Sequence, residues 1–501
     1  MPPVARQHAE APFIVTIDVG SSSVRVLLFD RLGRHISDIG AQERCAIPTQ
    51  ADGAAQEDVG VLLARIEHCL DAVLASVDKL GAAIAGVAVA TFVSNLLALD
   101  AVGEPLTPLI TYADTRNSAD AAALRRSLDE ESIHERTGCL LRTSYWPARL
   151  AWLQRTQPEV WQTVARWITL GEYLELKLFG ESRVSYSAAS WSGLLNRREL
   201  IWDTSLLEAL EMTPEQFGPL VDVGNSLCGL REPYATRWPA LRNVPWFPAI
   251  GDGAAANIGS GCADPSRMAL TVGTTGALRL VLPEVPRVPK GLWCYRVDQR
   301  RMLLGGATSE GGNVYAWMAQ TLQLPDAATI EHELAHRPPD GHGLTVLPFV
   351  AGERSPGWAG DVQATISGIT SSTTPLDILQ AGLEAVAYRF GLIERSIRAQ
   401  HSGEYQVVAS GGALLSSPAW MQIIANVIGR PVVSSAEPEA TSRGVALLAL
   451  EALNLLALAD MPVADSTVYE PDPVSHARYQ EAITRQERLY DAVVGAERQS
   501  D

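Results

Sequence analysis

The sequence predicts an α/β protein made of two related halves. Two observations lead there. Apolar, β-branched runs alternate with runs of helical period along both halves of the chain. A glycine-hydroxyl hairpin also recurs. Asp18-Val19-Gly20-Ser21-Ser22-Ser23 lies between two apolar runs, and Val272-Gly273-Thr274-Thr275 lies between two more, about half the chain later. At 501 residues the chain exceeds a single core, so two or three domains are expected.

Each element has its own reason. Residues 14–30 read strand, tight polar turn, strand, because Ile14, Val15 and Ile17 are β-branched and 24–29 is apolar except for Arg25. A further short strand is expected after the turn at 31–34. Residues 58–80 carry helical periodicity through Val61, Leu62, Ile66, Leu70, Val73 and Leu74. Residues 84–90 form a wholly apolar strand of the kind found inside a sheet. Thr91-Phe92-Val93-Ser94-Asn95 follows its end, where α/β proteins place ligands. A strand is expected over 96–100 and a helix over 118–128. The Trp-rich stretch 138–179 reads as helical, 185–190 as a polar loop, and 244–250 as a strand. The boundary between halves is expected over 259–267. In the second half, strands are expected over 302–304, 344–349 and 406–409. Helices are expected over 313–321, 376–400 and 419–428.

Composition excludes several classes. The chain is 47% hydrophobic and 19% charged, as in a packed globular protein. Its net charge of −17 leaves no basic face for a nucleic acid. The six cysteines show no CxxC spacing and read as reduced thiols of a cytoplasmic protein. Residues 1–12 lack an apolar leader core. Residues 445–459 are too short, and too interrupted by Glu451 and Asn454, to span a membrane, so they read as a buried helix.

The chemistry-bearing residues are few. Gly20 permits a sharp turn, and turn N–H groups beside Ser21, Ser22 and Ser23 suit an anion. Asp18, at the strand end, suits a hydrated Mg2+, which prefers oxygen ligands. Asp252 stands between Gly251 and Gly253 at a strand end and helix start. A carboxylate so placed is suited to accept a proton from an attacking hydroxyl, and equally to cap a helix. Gly411-Gly412 and Gly311-Gly312 let a flat ring approach the backbone. His332-Glu333-Leu334-Ala335-His336 matches the HExxH pattern of zinc hydrolases, with Glu353 downstream, but its flanks are charged and Pro338-Pro339 end the helix.

Taken together, these motifs resemble the FGGY family of carbohydrate kinases over about residues 13–453. DVGSSSVRVLLFD is similar to the first phosphate loop, LITYADTRNS to the sugar segment and SYWPARLAWLQRTQPEVW to the first signature. GDGAAANIGSG is similar to the catalytic segment, LTVGTTGALR to the second phosphate loop, LPFVAGERSPGW to the second signature and SGGALLSSPAW to the adenosine motif. Within the family, EYLELKLFG, SYSAASWSGLLN and the GERSP segment resemble the gluconate kinase branch.

The resemblance implies two ribonuclease-H-like domains of the actin and sugar-kinase type, with a ligand cleft between them. The divisions are 12–260 for sugar, first phosphate loop and base, 261–455 for ATP, and 456–501 for a helical tail. It implies Asp252 as catalytic base. It places the acceptor against Phe92, Val93, Ser94, Asp114, Arg116 and Asp252. ATP would lie on Gly20, Ser21, Ser22, Ser23, Gly273, Thr274, Thr275, Gly312, Gly411, Gly412, Ala413 and Ser416, with Mg2+ held through water by Asp18. The acceptor implied first is D-gluconate, giving 6-phosphogluconate. A xylulose, other ketose or polyol kinase is the alternative, and a non-catalytic ATP-binding sugar sensor the alternative of another class. Ser94 stands where relatives show a histidine, which leaves the sugar open. Arg116, Arg142 and Arg149 are the candidates to meet an acidic sugar. The expected partner is a small sugar, with no nucleic acid or membrane, and a homodimer is left open.

Overall fold

The first hairpin forms as its sequence dictates. Strands Phe13–Val19 and Ser23–Phe29 pair antiparallel, with Asp18 opposite Arg25, and Gly20 N–H donates to the Ser23 carbonyl at 2.9 Å. The structure is a computed structural model, and it describes residues 3–77, 84–435, 437–461 and 467–498. The chain divides into two units. One comprises Met1–Ala263, Cys294–Leu303 and Glu437–Val463, and the other Asp264–Trp293, Leu304–Ala436 and Ala464–Asp501.

In the first unit a five-stranded sheet runs in the order Ile250–Gly251, Ile84–Thr91, Phe13–Val19, Ser23–Phe29, His35–Arg44. Phe13–Val19 pairs parallel with Ile84–Thr91 and is buried along its whole length, Thr16 and Asp18 included. Helix Val59–Val77 covers one face with Leu62, Ile66, Leu70, Val73 and Leu74, whereas Val61 of the predicted stripe is exposed; residues 78–80 of the expected helix lie outside the described residues. A second core gathers Trp146, Trp152, Trp167 and Trp202 with Phe217, so these indoles are packing residues.

The second unit repeats the plan. Arg267–Val272 and Gly276–Leu282 form the second hairpin, and Arg267–Val272 pairs parallel with Gln406–Ser410. Val432–Ser434 and Val468–Tyr469 continue the sheet. Each half therefore holds a glycine hairpin whose first strand lies beside a parallel strand, and the loop after that strand carries residues that the sequence marks as candidates. Helix Pro375–Arg398 is capped by the Thr374–Asp377 box and is buried over most of its length.

Several expectations need correction. Residues 138–179 are not continuously helical: Gly138 ends one helix at φ 75°, and the strand Arg166–Ile168 separates Pro158–Thr163 from Leu170–Phe179. Residues 185–190 are a short helix, Tyr186–Ser190, because the Ser185 hydroxyl accepts from Ala188 N–H at 3.0 Å. Residues 244–250 are not one continuous strand: Trp246 makes a single parallel bridge to Val87 and regular pairing returns at Ile250–Gly251, since Pro245 and Pro248 bring no N–H to a ladder. Of the expected buried helix 445–459, residues 445–452 lie in the buried helix Ala440–Ala452, which ends there, and Leu455 is exposed; no helix among the described residues is long and apolar enough to cross a membrane.

Candidate active site

Asp252 opens the helix Asp252–Gly259 directly after the strand Ile250–Gly251. Its carboxylate is half-buried and accepts from the Gly253 N–H at 2.7 Å. Asp18 lies within electrostatic reach, near the end of the hairpin strand Phe13–Val19 on the far side of Ile84–Thr91, and is 8% exposed. Burial, then the Asp252 charge, push the Asp18 carboxyl up to about 7, and Glu439 adds to this. Arg25 and the Ser442 hydroxyl oppose the shift. Arg25 also binds Glu439 at 3.0 Å. Two carboxylates crowded together, one of them desolvated, form an anionic pair that a hard divalent cation would relieve. The oxygen donor set of Asp18 and Asp252 fits hydrated Mg2+.

The loop after Ile84–Thr91 is held from several sides. Phe92 is fully buried and its N–H donates to the Val19 carbonyl, so it is a core residue under the loop. Val93 lies beside Gly251: a Cβ placed on that glycine would be 2.8 Å from Val93 Cγ1. Ser94 sits at φ 54° and donates its hydroxyl to the Trp191 carbonyl at 2.5 Å. Its own carbonyl accepts from Arg149, which also donates to the Ser144 carbonyl at 2.7 Å. Arg149 is fully buried. That burial brings its pKa down to about 10 against the opposing charge of Asp114.

Asp114 and Arg116 pair with each other. Arg116 Nη2 lies 2.6 Å from Asp114 Oδ2, donates to Gln56 Oε1 at 2.9 Å, and its guanidinium stands 4.5 Å over the Trp152 ring. Asp114 also accepts from the Ala55 N–H. Arg142 binds Glu130 at 2.5 Å. Each of the three arginines considered for an acidic sugar is thus engaged by the protein itself.

In the second unit the glycine residues converge. Gly312 N–H donates to the Gly273 carbonyl at 2.8 Å, and Asn313 N–H to the Thr274 carbonyl at 3.2 Å. Gly411 adopts φ 95°, and a Cβ there would meet the Val272 carbonyl oxygen at 2.3 Å, so the residue is glycine by necessity. A Cβ on Gly312 would meet Ala413 Cβ at 2.7 Å. Thr274, Thr275, Gly412 and Ser416 are exposed around this cluster. Helices Gly312–Thr321 and Gly412–Leu415 both begin here, the first of them tied to the hairpin turn through its Gly312 and Asn313 N–H groups.

Several neighbours carry no sequence signal. Ser442 and Glu439 reach Asp18 from a segment far along the chain. Trp191 lies over the Asp252 segment, and Tyr295 stacks on it. The HExxH residues form no centre. His332 and His336 are exposed, the latter bonded to the His332 carbonyl, while Glu353 is buried against Arg389. Among the described residues the metal-capable group is instead Asp340, His342 and Glu384.

The chain matches the FGGY family of carbohydrate kinases, N-terminal domain, over residues 13–259 and the C-terminal domain of the same family over 268–453. A gluconokinase of Bacillus subtilis is 24% identical over 457 residues, covering 88% of this chain and 87% of that protein. A xylulose kinase of Lactococcus lactis is 21% identical over 497 residues, covering 95% and 96%. The solved gluconate kinase from Lactobacillus acidophilus superposes with a TM-score of 0.89 at 24% identity, over 98% of this chain and 99% of that one. The chain belongs to the FGGY family of carbohydrate kinases and has its two-domain fold, that of an ATP-dependent sugar kinase.

Proposed function

We propose that the protein transfers the γ-phosphate of ATP to a hydroxyl of a sugar or sugar acid, with Asp252 accepting the hydroxyl proton. The observation that carries this is the half-buried Asp252 carboxylate at a helix start, within reach of the Asp18 charge. Phosphoryl transfer asks little covalent chemistry of the protein, so positioning and charge dominate. The helix N-terminus favours the ionised base. When bound, Mg2+ neutralises phosphate charge as that charge shifts toward the leaving oxygen. Asp18 would hold it through water, and the Gly20–Ser23 turn would bring its N–H and hydroxyl donors to the phosphate. The Gly273–Thr275 turn, Gly312 and 411–413 would carry the rest of the nucleotide. Small, water-soluble reactants fit a cytoplasmic setting.

D-gluconate is the first acceptor to test, since gluconokinases stand among the curated relatives. A neutral ketose or polyol is the second, favoured by the engagement of Arg116, Arg142 and Arg149 with protein partners. An ADP-release screen with Mg-ATP against gluconate, xylulose, ribulose, fuculose, erythritol and glycerol separates them. Turnover with gluconate supports the first, and turnover with a ketose alone supports the second. ATP binding without acceptor-dependent ADP would mark a sensor. In Asp252→Ala, turnover should fall by about 10²–10⁴-fold while ATP binding survives.

A further inference from the structure

Asp252 is flanked by two glycines, and one side chain accounts for both. A Cβ on Gly251 would lie 2.6 Å from Trp191 Nε1 and 3.0 Å from Cδ1. A Cβ on Gly253 would lie 3.1 Å from Cη2 and 3.3 Å from Cζ2 of the same ring. The pyrrole edge of the indole therefore covers the peptide before Asp252, and the benzene edge covers the peptide after it. The wall is itself clamped. Trp191 stacks on Tyr295 with ring centroids 3.5 Å apart and planes inclined by 23°, and the Tyr295 hydroxyl shares a 2.5 Å hydrogen bond with that of Tyr145. The Trp191 carbonyl is fixed by the Ser94 hydroxyl. Trp191, Tyr295 and Tyr145 are 8%, 3% and 4% exposed, so the stack is packed rather than mobile surface. A flat, wide ring on both neighbours limits how far the backbone of Asp252 can rotate or retreat.

We propose that Trp191, clamped by Tyr295, is the positioning residue of Asp252. It buttresses the two peptides on either side of the proton acceptor, so that the carboxylate keeps its place as the hydroxyl is attacked. This rests on the reading of Asp252 as that acceptor. Displacement of a reacting group by about 1 Å costs on the order of 10²-fold in rate. A buttress acts on kcat and on the coupling of ADP release to acceptor phosphorylation, and leaves nucleotide affinity alone.

The test is a double-mutant cycle of Trp191→Phe and Gly253→Ala, with kcat, the KM for ATP and the ratio of ADP released to acceptor phosphorylated read on the folded fraction. Gly253→Ala alone should lower kcat by about 10-fold or more, because its methyl meets the indole. In Trp191→Phe, whose smaller ring leaves room, the same glycine change should cost at most about threefold. The KM for ATP should stay within about twofold throughout. Tyr295→Leu, which removes the clamp from a distance, should lower kcat and raise uncoupled ADP release in the same direction. Additive effects in the cycle, or a Tyr295→Leu protein with wild-type kcat and coupling, would overturn the proposal. Failure of the parent reading is separate: it would show as full turnover in Asp252→Ala.

Discussion

The carbonyl oxygen of Ser94 accepts a hydrogen bond from the fully buried guanidinium of Arg149. That bond holds a residue with φ 54° in a backbone region that side-chain-bearing residues rarely adopt. Arg149→Met should therefore release the 92–95 loop. Stability should fall by about 2–4 kcal/mol, because two carbonyls lose a charged donor. The KM for the acceptor should rise more than that for ATP. Denaturant unfolding and steady-state kinetics check the two parts.

Asp18 carries a stability cost. Its carboxyl is raised to about 7, chiefly by burial and then by Asp252, so the folded state resists an ionisation that the unfolded chain completes near pH 4. The sign follows: stability is lost as pH rises from about 4 toward 7. Asp18→Asn should melt several degrees higher than wild type at pH 8 and about equally at pH 4. Its Mg-ATP-dependent turnover should fall by at least about 10²-fold. Thermal melts at both pH values and kinetic assays at pH 8 read this.

Two further buried carboxyls add to the alkaline loss. Glu172 is raised to about 7 by burial, opposed by the Thr169 donors, and Glu310 to about 8, again chiefly by burial. Both side-chain oxygens of Glu310 lack a hydrogen-bond partner. Raised carboxyls leave stability intact below about pH 4.5 and erode it up to the folded value. Glu310→Gln should flatten the fall of unfolding free energy between pH 5 and 8, with little change at pH 4.5. Urea titrations at a series of pH values measure it.

Gly444 lies inside the helix Ala440–Ala452, where alanine would ordinarily add up to about 1 kcal/mol of helix propensity. A Cβ there would lie 1.8 Å from the Ala255 carbonyl oxygen, which is backbone and cannot yield cheaply. Gly444→Ala should therefore destabilise, by about 2 kcal/mol or more. A variant as stable as wild type would show that the two helices separate freely.

The hairpins, the apolar strand 84–91 and the long helices were legible because local pattern decides them. Val59–Val77 kept its stripe except at Val61, which is exposed, and the second hairpin repeated the first with a turn one residue shorter after the glycine. Where local pattern failed, a single residue overrode it. Ser185 capped a helix out of a polar stretch, and Pro245 and Pro248 in turn reduced the pairing of an apolar stretch to one bridge at Trp246 and a short strand at Ile250–Gly251. The place of Asp252 between a strand end and a helix start was legible, but the reason for its flanking glycines was not, since Trp191 lies some sixty positions away. Nor did Ser94 announce its role: its hydroxyl is spent on a backbone carbonyl, a contact that depends on tertiary placement alone.

The contact between helices Asp252–Gly259 and Ala440–Ala452 also sets an order of events during synthesis. Gly259 approaches the Ala440 carbonyl so closely that a Cβ would lie 1.8 Å from its oxygen, and Glu439 and Ser442 complete the surroundings of Asp18. The ribosome delivers the first hairpin and Asp252 well before these partners, with most of the second unit made in between. Until about residue 450 has left the tunnel, the nascent first unit lacks the helix that braces its two carboxylates. A half-made chain therefore carries Asp18 and Asp252 without the helix packed on Asp252's helix or the serine beside Asp18.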